Sequence, residues 1–167
     1  MSIVQTFLPQ FDHEMATTRR ILEVVPEREA AWRPHPKSTS LGDLASHIAT
    51  IPIYSKFVVE RPEVDLGLSA TTSMTRVPFT TTAELLQRFD RDVAEAKKLI
   101  ATASDDSMRE SWSLKNRGTT VFSLPRLAVL RSFVLSHLIH HRGQLTVYLR
   151  LRDVPIPSVY GPTADTP

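Results

Sequence analysis

Six histidines occur in this sequence, and three of them fall within five positions: His137, His140 and His141. His137 and His141 are four apart, so on a helix their imidazoles stand one above the other on the same face. A pair placed this way can chelate a single ion without bending the helix, as in metalloprotease helices. The glutamate that follows the first histidine in the protease motif is absent, Leu138 standing there instead, which argues against a protease of that type. His140 is rotated away from the line of the pair by the helical period and points toward a neighbouring helix or solvent. There is no cysteine, so disulfides and thiolate ligands are excluded, and histidine and carboxylate are the only strong metal ligands left.

The element carrying the pair is a helical segment over 125–151, with Ser123 as its N-cap and Pro125 in its first turn. Leu127, Leu130, Val134, His137, His141, Leu145 and Tyr148 follow a three-four spacing, which puts both imidazoles on the apolar seam where leucine would ordinarily sit. Neutral imidazoles in an apolar seam are costly unless each finds a partner, and a metal ion satisfies both at once. A zinc- or nickel-type site needs a further ligand from another helix. His47 is the natural candidate, near the middle of a segment over 41–59 whose stripe is Leu44, Ala45, Ile48 and Ile51. His13 falls opposite the stripe of its own segment, and His35 lies in a proline-flanked loop. Pattern alone does not make His47 the third member, because a lone helical histidine is commonly an ordinary core or surface residue.

Two further segments complete the helical set. One covers about 2–25, with capping-box spacing at Ser2 and Gln5 and a blemish at Pro9; the other covers about 82–101, capped by Thr81 and Glu84. Pro52 predicts a kink in the second segment. Between the third and fourth, Trp112 and Leu114 alternate with polar residues, Asn116-Arg117-Gly118 gives a turn, and Thr119 to Phe122 is β-branched and aromatic, which predicts a small β-hairpin. The tail over 153–167 has no periodicity and reads as an extended strap. The expected fold is all-α: a four-helix bundle with a small hairpin before the last helix, in a single domain over 1–167.

Composition narrows the function classes. Twenty basic and 18 acidic residues give a net charge of +2, with arginines scattered among acids rather than gathered in a basic run, so nucleic acid is not an expected partner. No apolar run is long enough to span a membrane, and residues 1–20 do not read as a signal peptide. Cytoplasmic localisation is the expectation.

Two stretches carry a resemblance to a known family. The run HLIHHRGQLTVYLRLRDVPIPSVYGPTAD (137–165) resembles the C-terminal signature of the DinB/YfiT-like (damage-inducible) family of metalloenzymes, and WRPHPKSTSLGDLASHIATIP (32–52) resembles its second-helix signature. The resemblance covers essentially the whole chain. It implies a bundle with up-down-down-up connectivity, often a homodimer, and a metal triad of one histidine from the second helix and two from the last. On this sequence those positions are His47, His137 and His141. The implied cofactor is a divalent metal ion, commonly nickel or zinc. Related branches include S-transferases using low-molecular-weight thiols such as bacillithiol or mycothiol, and a maleylpyruvate isomerase branch.

Three histidine ligands leave an open position, which permits hydrolysis or attack by a thiolate on an electrophile. Lacking cysteine, the chain must take any thiol from a co-substrate. The expected function is therefore a metal-dependent S-transferase or hydrolase acting on a small electrophile, with no catalytic residue assigned beyond a water or thiolate on the metal. The alternatives are a non-catalytic, stress-related metal-binding bundle and a helical protein whose histidines pack without metal. Asp43 and Gln144 are candidates to orient His47 and His141 through their outer nitrogens. Arg142 could hold an anionic substrate but reads first as a solvated head, and Tyr148 reads as a core residue, while Tyr160 and Asp165 belong to a strap of unassigned position.

Overall fold

Ser2 opens the first helix by accepting from the Gln5 N–H at 3.1 Å, and the Gln5 side chain returns the bond to the Ser2 N–H at 3.0 Å. The computed structural model describes residues 2–67 and 77–166. Helix α1 runs Ile3–Glu23 and carries Pro9 inside it, on the exposed face, where water can answer the carbonyl that proline leaves without a donor. Its buried side chains include Val4, Phe7, Phe11, Met15 and Leu22, a three-four stripe, with Glu14 and Thr18 lodged among them.

The second helical segment is divided at Pro52. Helix α2 covers Leu41–Thr50, a 3-10 turn covers Ile51–Ile53, and α3 covers Tyr54–Glu60. Proline offers no N–H to continue the ladder, so the chain tightens for one turn before winding on. Helix α4, Thr82–Thr102, is capped by Thr81 and buries Leu85, Phe89, Ala96 and Ile100. A short α5, Asp105–Arg109, leads into the strands.

Strands β2 (Ser111–Asn116) and β3 (Thr119–Pro125) pair antiparallel across a turn in which Arg117 and Gly118 both have positive φ. Asp65 holds that turn by accepting from the Arg117 and Gly118 N–H groups at 2.8 and 2.7 Å. Beside them lies a third strand, β1 (Glu63–Asp65), parallel to β2, so the sheet is mixed and three-stranded rather than a lone hairpin. Three residues in this strand are too few to show a period in sequence. The inner face of β2 places Trp112 in the core, where its indole N–H donates to the Phe57 carbonyl at 3.2 Å. Arg126 reaches the Arg61 carbonyl at 2.6 Å. The sheet end thus ties the close of α3 to the start of the last helical rod, fixing how the rods bearing His47 and His137 meet.

That last rod has three parts. A short α6 (Arg126–Val129) passes into a π-helical stretch (Leu130–Ser136) and then α7 (His137–Arg150). Ser123 lies in β3 and does not cap the rod; Pro125 occupies the cap position. The molecule is mostly helical with this small sheet at one end. Helix α1 packs on α4 and α7, and α2 packs on α4 and α7. No helix among the described residues is long and apolar enough to cross a membrane. From Leu151 to Thr166 the tail has no helix or strand.

Candidate metal centre

The π-helical stretch decides where the histidines of α7 point. A wider turn advances fewer degrees per residue, so side chains beyond it face differently from an uninterrupted α period. Below the stretch the fully buried line runs Leu138, Arg142, Leu145 and Leu149. His137 and His141 stand at its edge, half-buried, rather than on the seam itself. The π-to-α junction also brings the Phe133 carbonyl to the His137 ring, 3.3 Å from Nδ1.

A carbonyl can only accept, so His137 carries its proton on Nδ1 and presents a bare Nε2. His141 is set the same way: its Nδ1 lies 2.7 Å from Gln144 Oε1. Of the two orienting candidates, Gln144 is thus placed on its histidine. From α2, His47 brings its Nε2 to 3.2 Å from that of His137. The three ring centroids are 4.6–5.0 Å apart, and one nitrogen from each residue lies within 4.8 Å of the other two.

Two nitrogens held at about 2.0–2.1 Å from one tetrahedral ion are about 3.3 Å apart, close to the His47–His137 separation. The donor set therefore fits a divalent ion: three imidazole nitrogens converge, and the rings of His137 and His141 have their outer protons already placed. Burial pushes the pKa of His137 down, and the neighbouring His141 adds to the effect. Burial likewise lowers that of His141, against the opposing Gln144 hydrogen bond. Both shifts favour the neutral, ligand-competent form. The Tyr54 ring stacks on His137 at 6.4 Å and Phe133 lies 5.8 Å from it, so the inner wall is apolar.

On the outer side the site opens to a cavity of about 530 Å³. Its walls are the 37–39 segment, Leu44 and His47 of α2, and His141, Gln144 and Tyr148 of α7. The loop before α2 is fixed in place: the Leu41 N–H donates to the Trp32 carbonyl at 2.8 Å, and the Gly42 N–H to that of Ala30 at 2.9 Å. Gly42 permits the approach, since a Cβ there would lie 2.9 Å from that of Ala30. Trp32 meets Tyr148 edge-on at 5.7 Å.

The other histidines stay outside the cluster. His13, His35 and His140 are exposed, although the His140 ring lies 4.9 Å from that of His141. Asp43 sits in the first turn of α2, its backbone N–H bonded to Ser40 Oγ at 3.2 Å.

Arg142 differs most from the sequence expectation. It is 1% exposed and pairs with Glu14 of α1, itself 5% exposed, at 2.8 Å. The same guanidinium donates to Thr18 Oγ1 at 3.1 Å and to the Tyr160 hydroxyl at 2.6 Å, and that hydroxyl donates in turn to the Glu14 carboxylate at 3.0 Å. The tail is therefore fastened to the face of α7 away from the histidines; Asp165 pairs with Arg150. The signal was present in sequence: Arg142 continues the line Leu138, Leu145, Leu149, and Glu14 lies between Phe11 and Thr18 at helical spacing.

Comparisons with known proteins agree with this architecture. The model of the DinB superfamily matches residues 10–145. The uncharacterized protein YrdA of Bacillus subtilis (strain 168) is 24% identical over 163 residues, covering 95% of this chain and 89% of YrdA. The structure of a DinB-like protein from Bacillus cereus ATCC 10987 superposes with a TM-score of 0.72 at 21% identity, over 93% of this chain and 97% of that one. The DinB-like protein YjoA of Bacillus subtilis gives a TM-score of 0.69 at 15% identity, over 92% and 96%. At these identities the structural likeness is one of fold.

Proposed function

The chain belongs to the DinB superfamily, and on that premise we propose that His47, His137 and His141 hold one divalent metal ion, zinc or nickel, at the centre of an enzyme acting on a small electrophile. The reaction proposed is a thiol-dependent S-transfer or a hydrolysis. The observation that carries the reading is the convergence of three imidazole nitrogens on a space that opens to a 530 Å³ cavity. A divalent ion with three imidazole ligands supplies Lewis acidity and an exchangeable coordination position.

The chain's own residues do the rest. Phe133 and Gln144 hold the outer protons of His137 and His141, so those rings donate their Nε2 lone pairs inward without rearranging. Tyr54 and Phe133 exclude water from the inner side. Gln144 and Tyr148 line the path by which a substrate enters. With no cysteine in the chain, the thiol is a co-substrate.

The same reading takes the rods α1, α2–α3, α4 and α6–α7 as a four-helix bundle with up-down-down-up connectivity, in one domain over 1–167. The packing of α1 and α2 against both α4 and α7 supports it.

Metal analysis of protein purified without an affinity tag tests the proposal. One equivalent of ion per chain is expected, lost on His141→Ala together with thiol-dependent turnover. If no ion co-purifies and neither zinc nor nickel raises the melting temperature, the proposal fails. Turnover that survives His141→Ala leaves a non-catalytic metal-binding protein as the better description.

A further inference from the structure

We infer that the cavity beside the three histidines selects a small molecule bearing a carboxylate, and that Lys37 is the residue that recognises it. The inference rests on the metal-centre reading above and names the substrate class for that site.

Among the described lining residues the ammonium of Lys37 is the one full charge, and none of them is a carboxylate. Three other groups at the wall can donate. Gln144 spends its carbonyl oxygen on His141, which leaves its NH₂ for the cavity side. Ser38 and Tyr148 contribute hydroxyls.

Lys37 is not a side chain on a loose loop. The His35 ring nitrogen Nδ1 accepts from the Lys37 N–H at 3.1 Å, and the His35 carbonyl accepts from the Ser38 N–H at 2.8 Å. This turn is anchored in turn to the start of α2 by the Leu41 and Gly42 bonds. The backbone carrying Lys37 is thereby fixed at the wall of the cavity that His47 and His141 also line.

A cationic wall above a cationic metal centre disfavours a positively charged substrate and gives a neutral one nothing to offset the field. A molecule with an anionic group at one end and a metal-binding or reactive group at the other spans both features.

Calorimetric titration of the zinc-loaded protein with mercaptoacetate and with 2-mercaptoethanol tests the inference, since the first probe has a carboxylate and the second does not. In Lys37→Gln, mercaptoacetate should bind about fivefold more weakly, the scale of an exposed ion pair, with 2-mercaptoethanol unchanged. Lys37→Arg should restore most of the loss, and raising the salt concentration should shrink the wild-type effect. Equal changes for the two thiols, or none for mercaptoacetate, overturn the role of Lys37 while zinc content, measured on the same samples, leaves the metal centre standing. A protein that takes up no zinc overturns the metal reading and this inference with it.

Discussion

His141 and Arg142 are consecutive residues of α7, yet they serve two regions built on opposite terms. On the Arg142 side the described donors and acceptors answer one another. The guanidinium meets the Glu14 carboxylate, Thr18 and the Tyr160 hydroxyl, and the tail closes the outside. On the His141 side Gln144 and the Phe133 carbonyl answer the outer nitrogens of His141 and His137, while nitrogens of all three rings converge. Both regions place polar atoms against a hydrophobic core. The first resolves that cost within the chain and is structural. The second holds its rings in place and directs lone pairs at a shared point, the arrangement on which the metal proposal rests.

The largest effect that can break this comparison is on the arginine side. Glu14→Ala leaves a buried guanidinium without its counter-charge and should cost about 3–5 kcal/mol, read as a lower denaturant midpoint. Replacing both partners together, Glu14→Leu with Arg142→Met, should cost far less, because no charge is then stranded. If the single change is as mild as the double, the pair is not the closed structural unit described here.

The next effect belongs to the histidine side. Zinc at a hundredfold excess over its dissociation constant should stabilise the protein by about 2.7 kcal/mol. A melting-temperature rise of roughly 5–10 °C is then expected for a chain of this size, reversed by a chelator. Glu14→Ala should leave that increment intact, since the two regions share no ligand.

A smaller and more local change sharpens the contrast. Gln144→Leu removes the acceptor that orients His141, and zinc affinity should fall about ten- to hundredfold in a competition titration. Because Gln144 is exposed, the metal-free melting temperature should barely move. A large loss of metal-free stability would mean that Gln144 serves packing rather than the ring.

The smallest effect is the acid response of the metal-free protein. Burial depresses the folded-state pKa of both His137 and His141 below the ordinary 6.5. Above that value both folded and unfolded chains hold these rings neutral, so they leave stability flat. Below it the unfolded chain takes up protons first, and stability falls with pH until the folded rings protonate as well. Double replacement of His137 and His141 by Gln should flatten this slope in thermal melts taken from pH 7 downward.

Much of this was legible from spacing. The capping residues Ser2 and Thr81 open their helices as expected, and His47, His137 and His141 come together. Gln144 was also readable, three residues beyond the histidine it serves. The sequence could not show that seven residues ahead of His137 wind as a π-helix, because periodicity is read by assuming an α period throughout. That assumption put the imidazoles on the seam and sent Arg142 to solvent, whereas Arg142 is buried and the imidazoles stand half-buried at the seam's edge. Glu14 was missed for a related reason: a charge inside an apolar stripe looks like noise until its partner, 128 positions away, is seen.

The wide stretch from Leu130 to Ser136 makes backbone winding itself a determinant of coordination. Were the same seven residues wound regularly, everything downstream would swing by on the order of 100°. The two imidazoles would then leave the face they share with His47, with no ligand altered and the composition of the cluster intact. Shortening the stretch by one residue as it tightened would cancel most of that swing, so the extra position and the wide turn offset one another.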